Sequence, residues 1–168
     1  MSSVALYDVS VLLMQRGMNT LANILKKASE HPDSTSLPVA KLYDDMQPLT
    51  YQVQRASSLA KASILHLAGV ETDSWEESEK TLDELITRCE KTVNLLKNVD
   101  AKQVQGTGMV ELSLGSAGTK QFTGKDYALT FALPNFFFHL QTAYAILRMS
   151  GVPLGKGDFL GPFMMPDA

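Results

Sequence analysis

The chain has little of several things, and each shortage excludes something. One cysteine, Cys89, stands among 168 residues, so no internal disulfide framework exists and a reducing compartment is the simpler setting. Cys89 falls among apolar helical positions and reads as a small buried hydrophobe rather than a nucleophile. A basic excess is missing too. Lys and Arg total 15 against 18 Asp and Glu, and they are scattered, so there is no electrostatic footprint for nucleic acid. No apolar run approaches the ~20 residues needed to cross a bilayer, and Ser2-Ser3-Val4-Ala5-Leu6-Tyr7-Asp8 lacks the basic region and apolar stretch of a secretory signal. A cytoplasmic protein with no nucleic-acid or membrane partner is expected. Fingerprints for a hydride cofactor and a nucleophile elbow are absent. Gly155-Lys156-Gly157-Asp158 lacks the strand and spacing of a phosphate loop, so it reads as a turn.

What remains is 45% hydrophobic, enough to build one core, and residues 1–168 are read as a single domain. Leu6, Val9, Leu13, Leu21, Ile24 and Ala28 recur at helical spacing and predict a first helix from Val4 to Glu30, ended by His31-Pro32-Asp33-Ser34. A short helical turn is expected over Pro38–Asp44. Pro48 opens a second helix with Leu49, Val53, Ala56, Ala60, Ile64 and Leu67 inside, and Gly69 ends it. Ser74 with Glu77 three residues on has the form of a capping box, so a third helix is predicted from there to Lys97.

The period then falls to two. Met109–Leu114 and Thr119–Thr123, joined by Gly115-Ser116-Ala117-Gly118, predict a small hairpin. The last long helix, Tyr127 to Ser150, contains Pro134 and should be kinked or broken there. Beyond Gly151-Val152-Pro153 an extended apolar tail with Leu154, Phe159, Leu160 and Phe163 is expected to pack back on the rest. The fold class is all-α, a four-helix bundle with a small β-hairpin before the last helix.

The densest chemistry lies in Leu133-Pro134-Asn135-Phe136-Phe137-Phe138-His139. Asn135 and His139 are four apart and share a helix face. Walled by phenylalanines, an amide and an imidazole compose a small apolar pocket with a few polar anchors, where His139 could serve as base, donor or ligand. Against this stands a core histidine satisfied by a backbone carbonyl or tyrosine. Tyr7, Tyr51 and Tyr144 are the tyrosines that could point toward it. His31 beside Pro32 reads as exposed and without a role. His66, near a helix end, reads as a charged ring favoured by the helix dipole. The eight methionines read as gap fillers of the core.

Phe131 through His139, Ala143-Tyr144-Ala145-Ile146-Leu147-Arg148, and the closing Gly151-Val152-Pro153-Leu154-Gly155-Lys156-Gly157-Asp158-Phe159-Leu160-Gly161 resemble a fungal and bacterial family, domain of unknown function 1993. Leu6-Tyr7-Asp8-Val9-Ser10 and Pro48-Leu49-Thr50-Tyr51-Gln52-Val53-Gln54 resemble its other segments. The resemblance implies a DinB-like (DinB/YfiT) four-helix bundle, often dimeric. Metal-binding members of that superfamily carry a histidine on the second helix and a His-x-x-x-His pair on the fourth. Here the pair reads Asn135-x-x-x-His139, and His66 stands at the wrong end of the second helix. An amide oxygen is a weak ligand for zinc or nickel, so no metal site and no cofactor are expected.

The leading expectation is a metal-independent small-molecule-binding bundle, in which catalytic His139 and ligand-binding Asn135, Gln54, Tyr51 and Phe138 line the site. Its guest would be a small apolar metabolite, and any catalysis a proton transfer by His139 in a tailoring step. The alternatives are a non-catalytic homodimeric structural or interaction protein and a metal-dependent transferase or hydrolase of the DinB-like superfamily.

Overall fold

A computed structural model describes residues 4–113 and 115–165. The first helical stripe forms α1 (Leu6–Val9) and α2 (Val11–Ser29). They are separated at Ser10, whose backbone leaves helical geometry (φ −129°, ψ −84°). The expected single helix from Val4 is thus broken, because the fully buried Ser10 hydroxyl bonds back to the Leu6 carbonyl and competes with the helical ladder. Instead of a helical turn over Pro38–Asp44, one 3-10 turn occupies Leu37–Val39. Pro48 leads into α3 (Leu49–Ala68). Gly69 ends it in the left-handed region at φ 67°, and the amide of Val70 bonds to the carbonyl of Ile64.

The third long helix, α4, spans Leu82–Lys97 and begins later than its acidic run suggests. The working capping box is Thr81 with Glu84, not Ser74 with Glu77. Topology gives the reason. Ser57 bonds Thr92 (2.9 Å) while Gln54, one turn earlier on α3, lies beside the Glu79–Arg88 pair, so α3 and α4 run parallel. The chain must then travel back along α3, about 30 Å for twenty helical residues. Residues 69–80 have to be extended to cover it, at about 3.3 Å each. This strap is pinned as it goes. Lys61 Nζ donates to the Asp73 carbonyl (2.6 Å) and sits 3.9 Å above the centre of the Trp75 ring. Gln54 Nε2 donates to Glu79 Oε2 (2.9 Å), and Arg88 Nη1 donates to Glu79 Oε1 (2.6 Å) and to the Glu76 carbonyl (3.0 Å). Burial alone would raise the Glu79 carboxyl, but its bonds from Gln54 and Arg88 outweigh that and hold it below the usual range.

The hairpin pairs β1 (Met109–Ser113) with β2 (Thr119–Thr123) antiparallel, with Val110 opposite Phe122; Leu114 of the expected first strand lies outside the described residues. Gly115 and Gly118 turn the chain at φ 61° and 81°. A single turn, α5 (Gly124–Asp126), then opens into a π-helical stretch, Tyr127–Ala132, which runs directly into α6 (Leu133–Met149). No break occurs at Pro134. It lies in the first turn of α6, where the wider π turn before it accommodates the missing N–H.

The tail is helical rather than extended: α7 spans Lys156–Met164. Asp158 accepts from the Gly155 amide and from Lys27 Nζ, both at 2.7 Å. Phe159 and Phe163, one turn apart, align their rings (6.2 Å, 21°). Phe159 meets Tyr144 edge-on, and its carbonyl accepts from Thr20. Helical spacing places both rings on the bundle side, which an extended segment would not. α2, α4, α3 and α6 pack in that cyclic order around one core. Met14, Met18, Leu21, Leu25, Ile64, Leu85 and Phe136 are fully buried in it, each contributing about 1.5–3 kcal/mol by leaving water. Cys89 is buried and free, and burial raises its thiol far from reactivity. Among the methionines only part fill the core: Met109, Met149, Met164 and Met165 are exposed. No helix among the described residues is long and apolar enough to cross a membrane.

Candidate functional site

α3 and α6 lie antiparallel, with His66 against Tyr127 at one end and Gln52 against His139 at the other. His139 Nδ1 is 2.8 Å from Gln52 Oε1. The amide of Gln52 is itself oriented, since its Nε2 donates to the Gln47 carbonyl (2.9 Å) across the first turn of α3. Its oxygen therefore faces the imidazole, and Nδ1 must carry the proton and donate it. Nε2 is left with a lone pair and has no partner among the described residues. Burial pushes the imidazole down to about 4, with the Arg55 guanidinium adding to the effect. The ring is neutral at physiological pH.

Around this ring the sequence-derived candidates divide. Tyr51 packs at 6.0 Å and 67°, and Phe138 at 5.3 Å and 83°. His139 is only 8% exposed, yet Phe138 beside it is 57% exposed. Asn135, one turn before, is half-buried and makes no side-chain hydrogen bond among the described residues. Gln54 is not brought to this place. It stands about 200° around α3 from Gln52 and bonds Glu79 on the opposite side. The residue reasoning from sequence missed is Gln52. No local signal separates it from Gln54, since both lie near the start of α3 and only the rotation of that helix decides which one meets the imidazole. Clefts of about 280 to 470 Å³ open elsewhere on the surface, and His139 lines none of them.

The other histidines and tyrosines are placed structurally. His66 meets Tyr127 edge-on at 5.0 Å, and burial lowers its proton affinity, so it is not the dipole-stabilised cation expected near a helix end. Tyr127 Oη lies 3.3 Å from Ser63 Oγ. His31 is half-buried, its Nδ1 accepting from the Asp33 amide. Tyr144 packs on Phe159, away from His139.

The family described as Domain of unknown function (DUF1993) matches residues 6–160. The chain belongs to this family. A solved structure of a DinB family member from Shewanella denitrificans is similar over 93% of this chain and 92% of that one, at 32% identity and a TM-score of 0.83. No curated protein matches the chain. This DUF1993 chain thus has a DinB-like fold, and the metal question can be put to its own residues. One imidazole, His139, meets one amide, and the oxygen of that Gln52 amide is already committed to the imidazole N–H. No group of three His, Cys, Asp or Glu suited to a metal occurs among the described residues. Such a donor set does not fit zinc or nickel.

Proposed function

We propose that this DUF1993 chain is a metal-independent small-molecule-binding bundle, in which the neutral His139 presents Nε2 as acceptor to a small, largely apolar ligand. The observation that carries the reading is the Gln47–Gln52–His139 chain, which fixes the tautomer, on a ring that burial and the nearby Arg55 keep uncharged. Fixing the tautomer of a histidine through its second nitrogen is how proteins commit the first nitrogen to a task. Tyr51 and Phe138 supply apolar walls, and Asn135 a second polar anchor. A ring that holds a proton only near pH 4 is first a hydrogen-bond acceptor. It carries a proton transiently where the ligand supplies an acidic C–H or O–H, as an isomerisation or similar tailoring step would.

The test compares wild type, His139→Gln and Asn135→Ala purified from the same cells. Small molecules released on denaturation are identified by mass spectrometry. A molecule retained by wild type and lost from both variants, with folding intact, is the expected result; equal retention by all three refutes the reading. A second reading, a dimeric interaction protein, draws on Phe138 and on Leu65 and Leu129, 45% and 41% exposed, at the two ends of the α3–α6 pair. Sedimentation of Phe138→Asp separates the two, since only an interface through this face would dissociate.

A further inference from the structure

A cleft of about 470 Å³ that His139 does not line lies between the strap and α4. Trp75 walls it, and its charged lining is Glu76 and Glu79 from the strap, the latter already paired with Arg88, and Asp83, Glu84, Arg88 and Lys91 from α4. The unusual member is Arg88. Only 4% exposed, it commits Nη1 to Glu79 and the Glu76 carbonyl, while its Nε is buried with no partner among the described residues. An unpaired donor on a buried guanidinium is rare in native proteins and asks for an acceptor. Nη2 makes no hydrogen bond among the described residues either, so the guanidinium keeps donors for a carboxylate.

The charges around it are arranged in order along the helix. Asp83 and Glu84 stand at the N-terminal end of the cleft and Arg88 and Lys91 at the C-terminal end. Glu84 to Arg88 is one turn, about 6 Å along the axis. A simple anion would satisfy Arg88 but meet the carboxylates. A simple cation would satisfy the carboxylates but meet Arg88 and Lys91. We propose that this cleft binds a small zwitterion whose charges stand about 6 Å apart, with its carboxylate on Arg88 and Lys91 and its ammonium on Asp83 and Glu84. An ω-amino acid of about five carbons has that span.

Trp75 is the only tryptophan in the chain and forms one wall of the cleft, so its fluorescence reports on the site directly. The full chain is titrated with 5-aminopentanoate, pentanoate, pentylammonium and sodium chloride at constant ionic strength. The zwitterion is expected to give a saturable change with a dissociation constant of about 1 mM or tighter, and each singly charged analogue to bind at least about tenfold more weakly. Asp83→Asn and Lys91→Gln alter side chains at exposed positions and are expected to weaken binding about threefold or more each. Arg88→Lys, which keeps the charge and removes the fork, is expected to weaken it about tenfold or more. No saturable change up to about 50 mM, an equal response to pentanoate or to salt, or unaltered affinity in both Asp83→Asn and Lys91→Gln overturns the proposal. Those two variants decide the matter even if Arg88→Lys does not fold.

Discussion

Lowering the pH should unfold this protein partly through one ring. In the folded chain His139 protonates only near pH 4, against an ordinary value of 6.5. Between those two values the unfolded chain takes up a proton that the folded chain refuses. Stability from this group is therefore fully present above pH 6.5, falls as the pH drops toward 4, and is flat below that. Within the window each pH unit costs about 1.4 kcal/mol at most, and the whole passage up to about 3 kcal/mol. That is a large share of the 5–15 kcal/mol typical of a domain. Other groups titrate over part of the same range: His66 is lowered by burial, and Glu79 is held low by Gln54 and Arg88 after its desolvation is overcome. The useful quantity is thus a difference. Urea unfolding of wild type and His139→Gln at pH 7, 6, 5 and 4 should converge toward acid, with the wild type losing about 2–3 kcal/mol more than the variant across the series. Parallel curves would refute the assignment of a buried neutral ring.

Three further outcomes follow from local geometry. Gln52→Leu leaves the His139 Nδ1–H without an acceptor, so stability should fall by about 1–3 kcal/mol, and nitrogen-15 spectra of the ring should shift toward the other tautomer; an unchanged tautomer would separate Gln52 from its role. Gly17→Ala should destabilise despite a helix-propensity gain of about 1 kcal/mol. The added Cβ overlaps the Phe136 ring, 2.8 Å from Cζ, and lies 3.2 Å from Leu140 Cδ2; overpacking of about 1–3 kcal/mol wins, and a raised melting temperature would contradict this. Thr81→Ala should cost about 1 kcal/mol in chemical denaturation while Ser74→Ala stays within about 0.5 kcal/mol. The reverse order would put the start of α4 back at Ser74.

Much of the architecture was legible in the residues. Helical spacing of Leu49, Val53, Ala56 and Ala60 with Gly69 after it defined α3, and the alternation in Met109–Ser113 defined the hairpin, because these are local periodicities that burial of one face enforces. The misplacements share one cause. Ser74-x-x-Glu77 is as good a capping box as Thr81-x-x-Glu84, and only the parallel setting of α3 and α4, which requires an extended return of residues 69–80, selects the second. Pro134 reads as a break until the π turn before it is seen, and Phe159 with Phe163 reads as an extended tail until α2 and Tyr144 offer a surface that helical spacing matches.

For the candidate site, the sequence by itself determined that Asn135 and His139 share a face of α6 with Phe138 beside them, since residues one turn apart share a face in any helical fold. Only the tertiary structure decided that Gln52 rather than Gln54 meets that histidine. Two residues apart on α3, the glutamines point in nearly opposite directions, and which one faces α6 depends on how α3 is rotated in the bundle. That rotation is set by the whole core, and no short stretch of sequence carries it.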